Sequence, residues 1–250
     1  MLVKVEGIVL KAKDYGESHQ ILTLFTKEQG KLAAMARGSK KTKSRFSAVT
    51  EPFTEAQFVL FTGGSGVATL SQADSLDSHH PIRSDLLLTA YGAYWLDLLD
   101  KCTEEREPLP PLHRLLSALL KRLEKGTNPE ILTRIFELRI LKLAGYTPVL
   151  NHCVICRRER SPVRFSVRQG GFLCEECQER DPEAIPVSAA TGKILPVLER
   201  IPVERLGEVK VRPETEAQLQ QIVRSFMQEY LPFQSKSLNL LEQIRATWIK

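Results

Sequence analysis

No apolar run in this chain of 250 residues approaches the roughly 20 that a helix needs to cross a bilayer. No membrane partner is expected. Nor does an apolar stretch stand behind a charged N-terminal segment, so no secretory leader and no oxidising compartment are expected, and the predicted location is cytoplasmic. The catalytic signatures are missing as well. Gly192-Lys193 has Val187 where a phosphate-binding loop needs its first glycine and Ile194 where it needs a hydroxyl; Gly64-Ser65-Gly66 is followed by Thr69 where a dinucleotide fingerprint has its third glycine. There is no His-Glu-x-x-His, and Asn151-His152 precede Cys153 where a zinc deaminase would have its proline. The expectation is a protein that is not an enzyme. Internal repeats and low-complexity tails are also lacking.

What is present is a globular composition, 42% hydrophobic, with a formal net charge of +5. That net charge is modest, but its distribution is uneven. Residues 1–50 hold ten Lys or Arg against four Asp or Glu, a local excess of six that exceeds the whole-chain value. Basic character is therefore concentrated at the N-terminus.

Cysteine is scarce, and four of the five lie in two Cys-x-x-Cys pairs, Cys153/Cys156 and Cys174/Cys177. The intervening stretch, Arg157 to Leu173, has the length expected when two thiolate turns close on one zinc ion. Zinc takes four thiolates in a tetrahedron, and with all four positions filled none is left for water, so one structural Zn²⁺ is predicted. A thioredoxin-like redox site would use one pair near a βαβ pattern rather than two pairs in a polar, arginine-rich hairpin. Cys102, alone at the end of a helical pattern, reads as an ordinary buried thiol.

Along the chain, short strands broken by turns are predicted at Val3–Leu10, Ser18–Thr26, Lys31–Arg37, Phe53–Phe61 and Val67–Gln72, the last two separated by Gly63-Gly64-Ser65-Gly66. Five strands in about seventy residues is the size of an OB-fold, a barrel that commonly carries single-stranded nucleic acid. From His79-His80-Pro81 onward the apolar period becomes helical. Leu87, Tyr91, Tyr94, Trp95 and Leu98 share one face of a helix expected over Ile82–Lys101, and a second helix buries Leu112, Leu115, Leu116, Leu119 and Leu123. A third is capped by Asn128, with Pro129 in its first turn and Gly145 at its end, an apolar stripe of Leu132, Ile135, Phe136 and Leu143, and Arg139 and Lys142 opposite. Helices at Ser188–Arg200, Glu214–Leu231 and Ser237–Trp248 follow. The expected class is α+β multidomain: an N-terminal OB-fold β-barrel over 1–79, an α-helical domain over 80–250, and a four-cysteine zinc finger inserted at 150–182.

The stretch Arg37-Gly38-Ser39-Lys40-Lys41-Thr42-Lys43-Ser44-Arg45-Phe46 carries five positive charges and no acid between two strands of the barrel. Arg37, Lys40, Lys41, Lys43 and Arg45 suit phosphate contacts, because each neutralised phosphate releases condensed counterion, and Phe46 could offer a stacking face. Lys11 and Lys13 would extend this DNA-binding surface. Another nucleic-acid reading places contact on the metal module itself, through Arg157, Arg158, Arg160, Arg164 and Arg168, as in a zinc-ribbon transcription or RNA-binding factor.

Several segments together resemble the bacterial RecO family. They are Gly7-Ile8-Val9-Leu10, Tyr15-Gly16-Glu17-Ser18, Leu22-Thr23-Leu24-Phe25-Thr26, Gly30-Lys31-Leu32, Ala36-Arg37-Gly38 and Lys43-Ser44-Arg45-Phe46; then Leu143-Ala144-Gly145-Tyr146-Thr147-Pro148 leading into Cys153, Gly170-Gly171-Phe172-Leu173 into Cys174, and Lys236-Ser237-Leu238. Asp74 stands where the family pattern has glutamate. The resemblance implies a non-enzymatic recombination mediator in DNA repair that binds single- and double-stranded DNA and anneals complementary strands. Its implied partners are RecR, the C-terminal tail of the single-stranded DNA-binding protein SSB and, indirectly, the RecA recombinase, in a nucleoid-associated setting. Arg139 and Lys142 are the candidate partner-binding residues, chosen as basic groups on one helix face.

Overall fold

A computed structural model describes residues 1–63, 66–231 and 234–248, so Gly64 and Ser65 of the expected glycine turn lie outside the described residues. By internal contacts the chain forms two compact units, Met1–Gly126 with Ser235–Lys250, and Thr127–Gln234.

The first unit is built on a closed barrel of β1 (Leu2–Tyr15), β2 (His19–Thr26), β3 (Gly30–Ala36), β4 (Glu55–Phe61) and β5 (Ala68–Asp77), in the order β1-β2-β3-β5-β4. That is the five-stranded closure of an OB-fold. Strand β1 runs to Tyr15, five residues past the expected end at Leu10, because it serves two neighbours. Leu2–Ile8 pairs with β4, Gly7–Tyr15 pairs with β2, and the register shifts between Val9 and Lys11. Strict alternation along β3 places Leu32, Ala34 and Ala36 inside with Val5, Val9, Leu22, Leu24, Phe58, Leu60 and Leu70. The barrel closes through a short parallel seam, Ala34↔Ala68 and Met35↔Thr69.

Helices α1 (His80–Ser84), α2 (Leu86–Cys102) and α3 (Pro110–Glu124) follow. The single helix expected from Ile82 is broken at Asp85, whose extended backbone stops α1 and whose carboxylate accepts from Leu88 N at 2.9 Å to cap α2. The aromatic stripe of α2 is core, with Tyr91, Tyr94, Trp95 and Leu98 all buried. Gly92 lets α2 approach closely: an added Cβ would lie 2.8 Å from the ring of Phe53.

In the second unit α4 (Pro129–Leu143) is buried on nearly all sides. Asn128 accepts from Glu130 N at 2.9 Å, and Gly145, at φ +87°, turns the chain so that Tyr146 N reaches Leu141 O at 2.9 Å, a Schellman-type close. Leu143, expected on the apolar stripe, is instead 41% exposed because it follows the last buried turn. A three-stranded sheet of β6 (Arg164–Ser166), β7 (Gly171–Leu173) and β8 (Ile185–Pro186) has the order β7-β6-β8. Helices α5 (Ala189–Arg200) and α6 (Pro213–Tyr230) complete this unit. The chain then returns to the first unit with α7 (Lys236–Trp248), whose leading residues Ser235 and Ser237 both donate to Asp97 of α2, at 2.9 and 2.8 Å. Among the described residues no helix is long and apolar enough to cross a membrane.

Candidate metal centre and nucleic-acid interface

The four cysteines of the two pairs converge, with all their sulfurs within 4.8 Å of one another. Local backbone makes this possible. Arg157 takes a left-handed conformation, φ +59°, that closes the turn after Cys156, with Arg157 N donating to Cys153 O at 2.8 Å. The second pair begins a short 3-10 helix, Glu175–Arg180, in which Cys177 N donates to Cys174 O at 3.0 Å. Between the pairs β6 and β7 form a hairpin whose Gly171 faces Val149 so closely that a Cβ would fall 2.5 Å from its carbonyl oxygen. Phe165 and Phe172 meet edge to face at 5.9 Å, and Phe165 meets Phe226 of α6 at 5.7 Å, so the hairpin is anchored in the helical core of its unit.

The donor set fits a tetrahedral ion. Metal–sulfur bonds of about 2.3 Å imply sulfur–sulfur edges of roughly 3.8 Å, and Cys156 Sγ lies 3.8 Å from Cys174 Sγ. All five cysteines are unbridged thiols. Their acidities are unequal. Burial opposes ionisation of Cys153, but hydrogen bonds from the backbone of Cys156, Cys174 and Ile155 outweigh it and bring the thiol down to about 6. Burial and the neighbouring sulfurs push Cys177 up to about 12. A bound cation favours the thiolate form of the cysteines that hold it. If an ion is held, Cys153, Cys156, Cys174 and Cys177 fill its shell and leave no open position, so its chemistry would be structural. Of the arginines around it, Arg158 and Arg160 pair with Glu176, and Arg164 donates to Ala184 O at 3.0 Å. Arg157 and Arg168 remain exposed.

The barrel arranges the predicted DNA residues into two groups. Arg37, Lys41 and Lys43 project from the 37–46 loop, and Lys13 from β1; all four are exposed, and among the described residues none makes an ion pair. Lys11 and Lys40 are different. Lys11 Nζ sits 2.6 Å from Asp100 and 3.9 Å from Asp97 on α2, and Lys40 pairs with Asp14 on β1. The loop is folded back onto the β1–β2 hairpin, where Lys40 N donates to Ser18 O at 3.2 Å and Gly38 N to His19 Nδ1 at 2.9 Å.

Phe46 is not available as a stacking face. It is 5% exposed and belongs to the barrel core, with the Arg45 guanidinium 4.7 Å from its ring centroid and Arg45 Nη2 donating to Ser71 O at 2.9 Å. The exposed ring in this region is Tyr15, 55% accessible, at the tip of the hairpin that the loop grips. Alternation along β1 would have placed Tyr15 on the side of Lys11 and Lys13, but only if the strand were known to continue past Leu10. Arg139 and Lys142 do not form a free basic face either. Burial lowers the pKa of Arg139, which donates to Ile201 O at 2.9 Å, and Lys142 lies 3.4 Å from Glu199.

A closed OB-type barrel with exposed cations on one loop, followed by helices and a four-thiol cluster of metal-binding geometry, defines the class as an OB-barrel protein with a four-cysteine module. Comparison with known proteins narrows it. Residues 1–79 match the family "Recombination protein O N terminal" and residues 83–239 match "Recombination protein O C terminal". The DNA repair protein RecO of Bacillus subtilis (strain 168) is 43% identical over 246 residues, covering 98% of this chain and 96% of the relative. Those of Halalkalibacterium halodurans and Bacillus cereus (strain B4264) are 40% and 41% identical, again over 98% of this chain and 96% and 98% of theirs. The chain belongs to the RecO family of DNA repair proteins.

Proposed function

We propose that this protein acts in DNA repair as a recombination mediator without catalytic activity of its own. It binds single- and double-stranded DNA, anneals complementary strands and, with RecR, helps load RecA onto SSB-coated single strands. Family membership over nearly the whole chain carries the reading. The unpaired cations Lys13, Arg37, Lys41 and Lys43 on one end of the barrel support it. Phosphate contacts of this kind give affinity without sequence preference, which suits a protein that must act on any broken DNA. Tyr15, beside them, replaces Phe46 as the candidate stacking surface. The metal module serves as a staple within its unit, since three of its five arginines are already engaged.

The SSB tail is assigned to the helical region, though Arg139 and Lys142 now make weak candidates for its carboxylates. The setting is cytoplasmic, on the nucleoid. The test is annealing of complementary strands coated with SSB, by purified protein, with no nucleotide triphosphate added. Annealing under these conditions is the expected result; its absence in folded, zinc-replete protein would remove the mediator role.

A further inference from the structure

Apart from the cysteines, the described residues contain a second convergence of metal-ligating groups, in the first unit. Glu6 of β1, Glu55 of β4 and His113 of α3 each bring a ligand atom within 4.8 Å of the others. The histidine is 1% exposed, its Nε2 has no hydrogen-bond partner, and its ring is held 6.0 Å from that of Phe25. A buried imidazole nitrogen left unpaired costs free energy unless something occupies the space it faces. We infer that Glu6, Glu55 and His113 form a second divalent-cation site, of mixed carboxylate and imidazole type, that pins α3 to the barrel.

The surroundings of the three residues suit this role. Burial lowers the pKa of His113, against the pull of Glu55, Glu6 and Glu28, so its lone pair is free at neutral pH. Glu55 is ionised throughout the ordinary range: although burial opposes it, hydrogen bonds from His79 and Ser117 and the charges of Lys121 and His113 bring it down to about 2. Glu6, with its side chain 30% exposed, is the edge through which an ion would enter. Two lysines face the cluster, Lys27 at 3.6 Å from Glu6 and Lys121 at 3.5 Å from Glu55, and both are exposed enough to swing into water when an ion takes their place.

A neighbouring group, Asp77, His79 and Glu124, converges as closely but does not qualify. Burial disfavours the charged ring of His79, yet Glu55, Glu124 and Asp77 outweigh it and raise its pKa, so a proton competes with any cation for this imidazole. The two histidines share Glu55 and divide the roles between them.

Oxygen and nitrogen donors without sulfur suit Mn²⁺, whereas the four thiolates hold zinc far more tightly, so Mn²⁺ tests this site with the cysteines already filled. The experiment is titration of the zinc-loaded full chain with Mn²⁺, followed by the paramagnetic resonance of the free ion. One equivalent of Mn²⁺ is expected to bind, with affinity reduced at least tenfold by His113→Gln and by Glu6→Gln and unchanged by Lys142→Ala. Glu6→Gln, at the exposed edge, decides the matter if the buried variant fails to fold. No uptake at millimolar Mn²⁺, or uptake that both variants leave intact, would overturn the proposal.

Discussion

At the scale of single residues, the 37–46 loop separates side chains of the same chemistry into different duties. Lys41→Glu with Lys43→Glu should weaken DNA binding and flatten its salt dependence, since each lost phosphate contact removes about 0.7 to 0.9 from the slope of log K against log salt. Lys11→Glu should change it less, because Lys11 is already paired with Asp97 and Asp100. Filter binding from low to moderate salt measures both; equal effects at the two positions would count against the division. The aromatic residues separate in the same way. Phe46→Ala opens a hole in the barrel core and should cost about 3 to 5 kcal/mol in chemical denaturation. Tyr15→Ala should leave the denaturation midpoint unchanged and reduce single-strand affinity by about 1 to 3 kcal/mol. Composition marked the basic loop, but burial of Phe46 depends on how the loop folds back, which no local pattern specifies.

Between elements, the buried carboxylate of Glu55 joins β4 to the loop before α1 and to α3 through His79, Ser117 at 2.9 Å and Lys121 at 3.5 Å. Its folded pKa, about 2, lies below the ordinary 4.5, so the stability it contributes is present above pH 4.5 and lost as the pH falls toward 2. His79 behaves oppositely. Its folded pKa is raised above 6.5, so its contribution is full below pH 6.5 and is lost as the pH rises through the folded value. His113, lowered from 6.5, costs stability as the pH falls below 6.5, on the acid side of the interval in which His79 acts. The stability difference between wild type and His79→Gln should therefore be larger at pH 6 than at pH 9. Urea midpoints at the two values measure it, and a difference that does not shrink toward pH 9 would show that the ring is not held charged.

This network was invisible in the sequence because its members lie far apart along the chain. The cysteine cluster was visible because each pair spans a single turn. Asp85 was also within reach, as a residue of the capping type before an apolar run, but the unbroken apolar period across it suggested one helix. The strands were legible wherever one face is buried and the other wet, as in β3. The second half of β1 escaped notice because nearly all of it is exposed.

For the whole molecule, loss of metal should be a local event. Cys177→Ser is expected to lower zinc content from about one equivalent per chain and loosen the hairpin around Phe165 and Phe172, while the barrel unit keeps its own cooperative transition. Metal analysis together with amide exchange of the two units would test this; loss of protection across the barrel would contradict it. The helices expected to form one domain over 80–250 are divided between the units, with α1, α2, α3 and α7 grouped with the barrel and α4, α5 and α6 with the four-cysteine module. Nothing in the periodicity of α7 announces which unit it joins. Its packing along α2, with Ser235 and Ser237 bonded to Asp97, does.

The return of α7 to the first unit bears on how the chain is made. A ribosome delivers the barrel and α2 first, but the helix that covers Asp97 emerges only after all of residues 127–234 have been synthesised. Throughout that interval the face of α2 that α7 covers stays open on the nascent chain. The first unit, although begun earlier, is completed last.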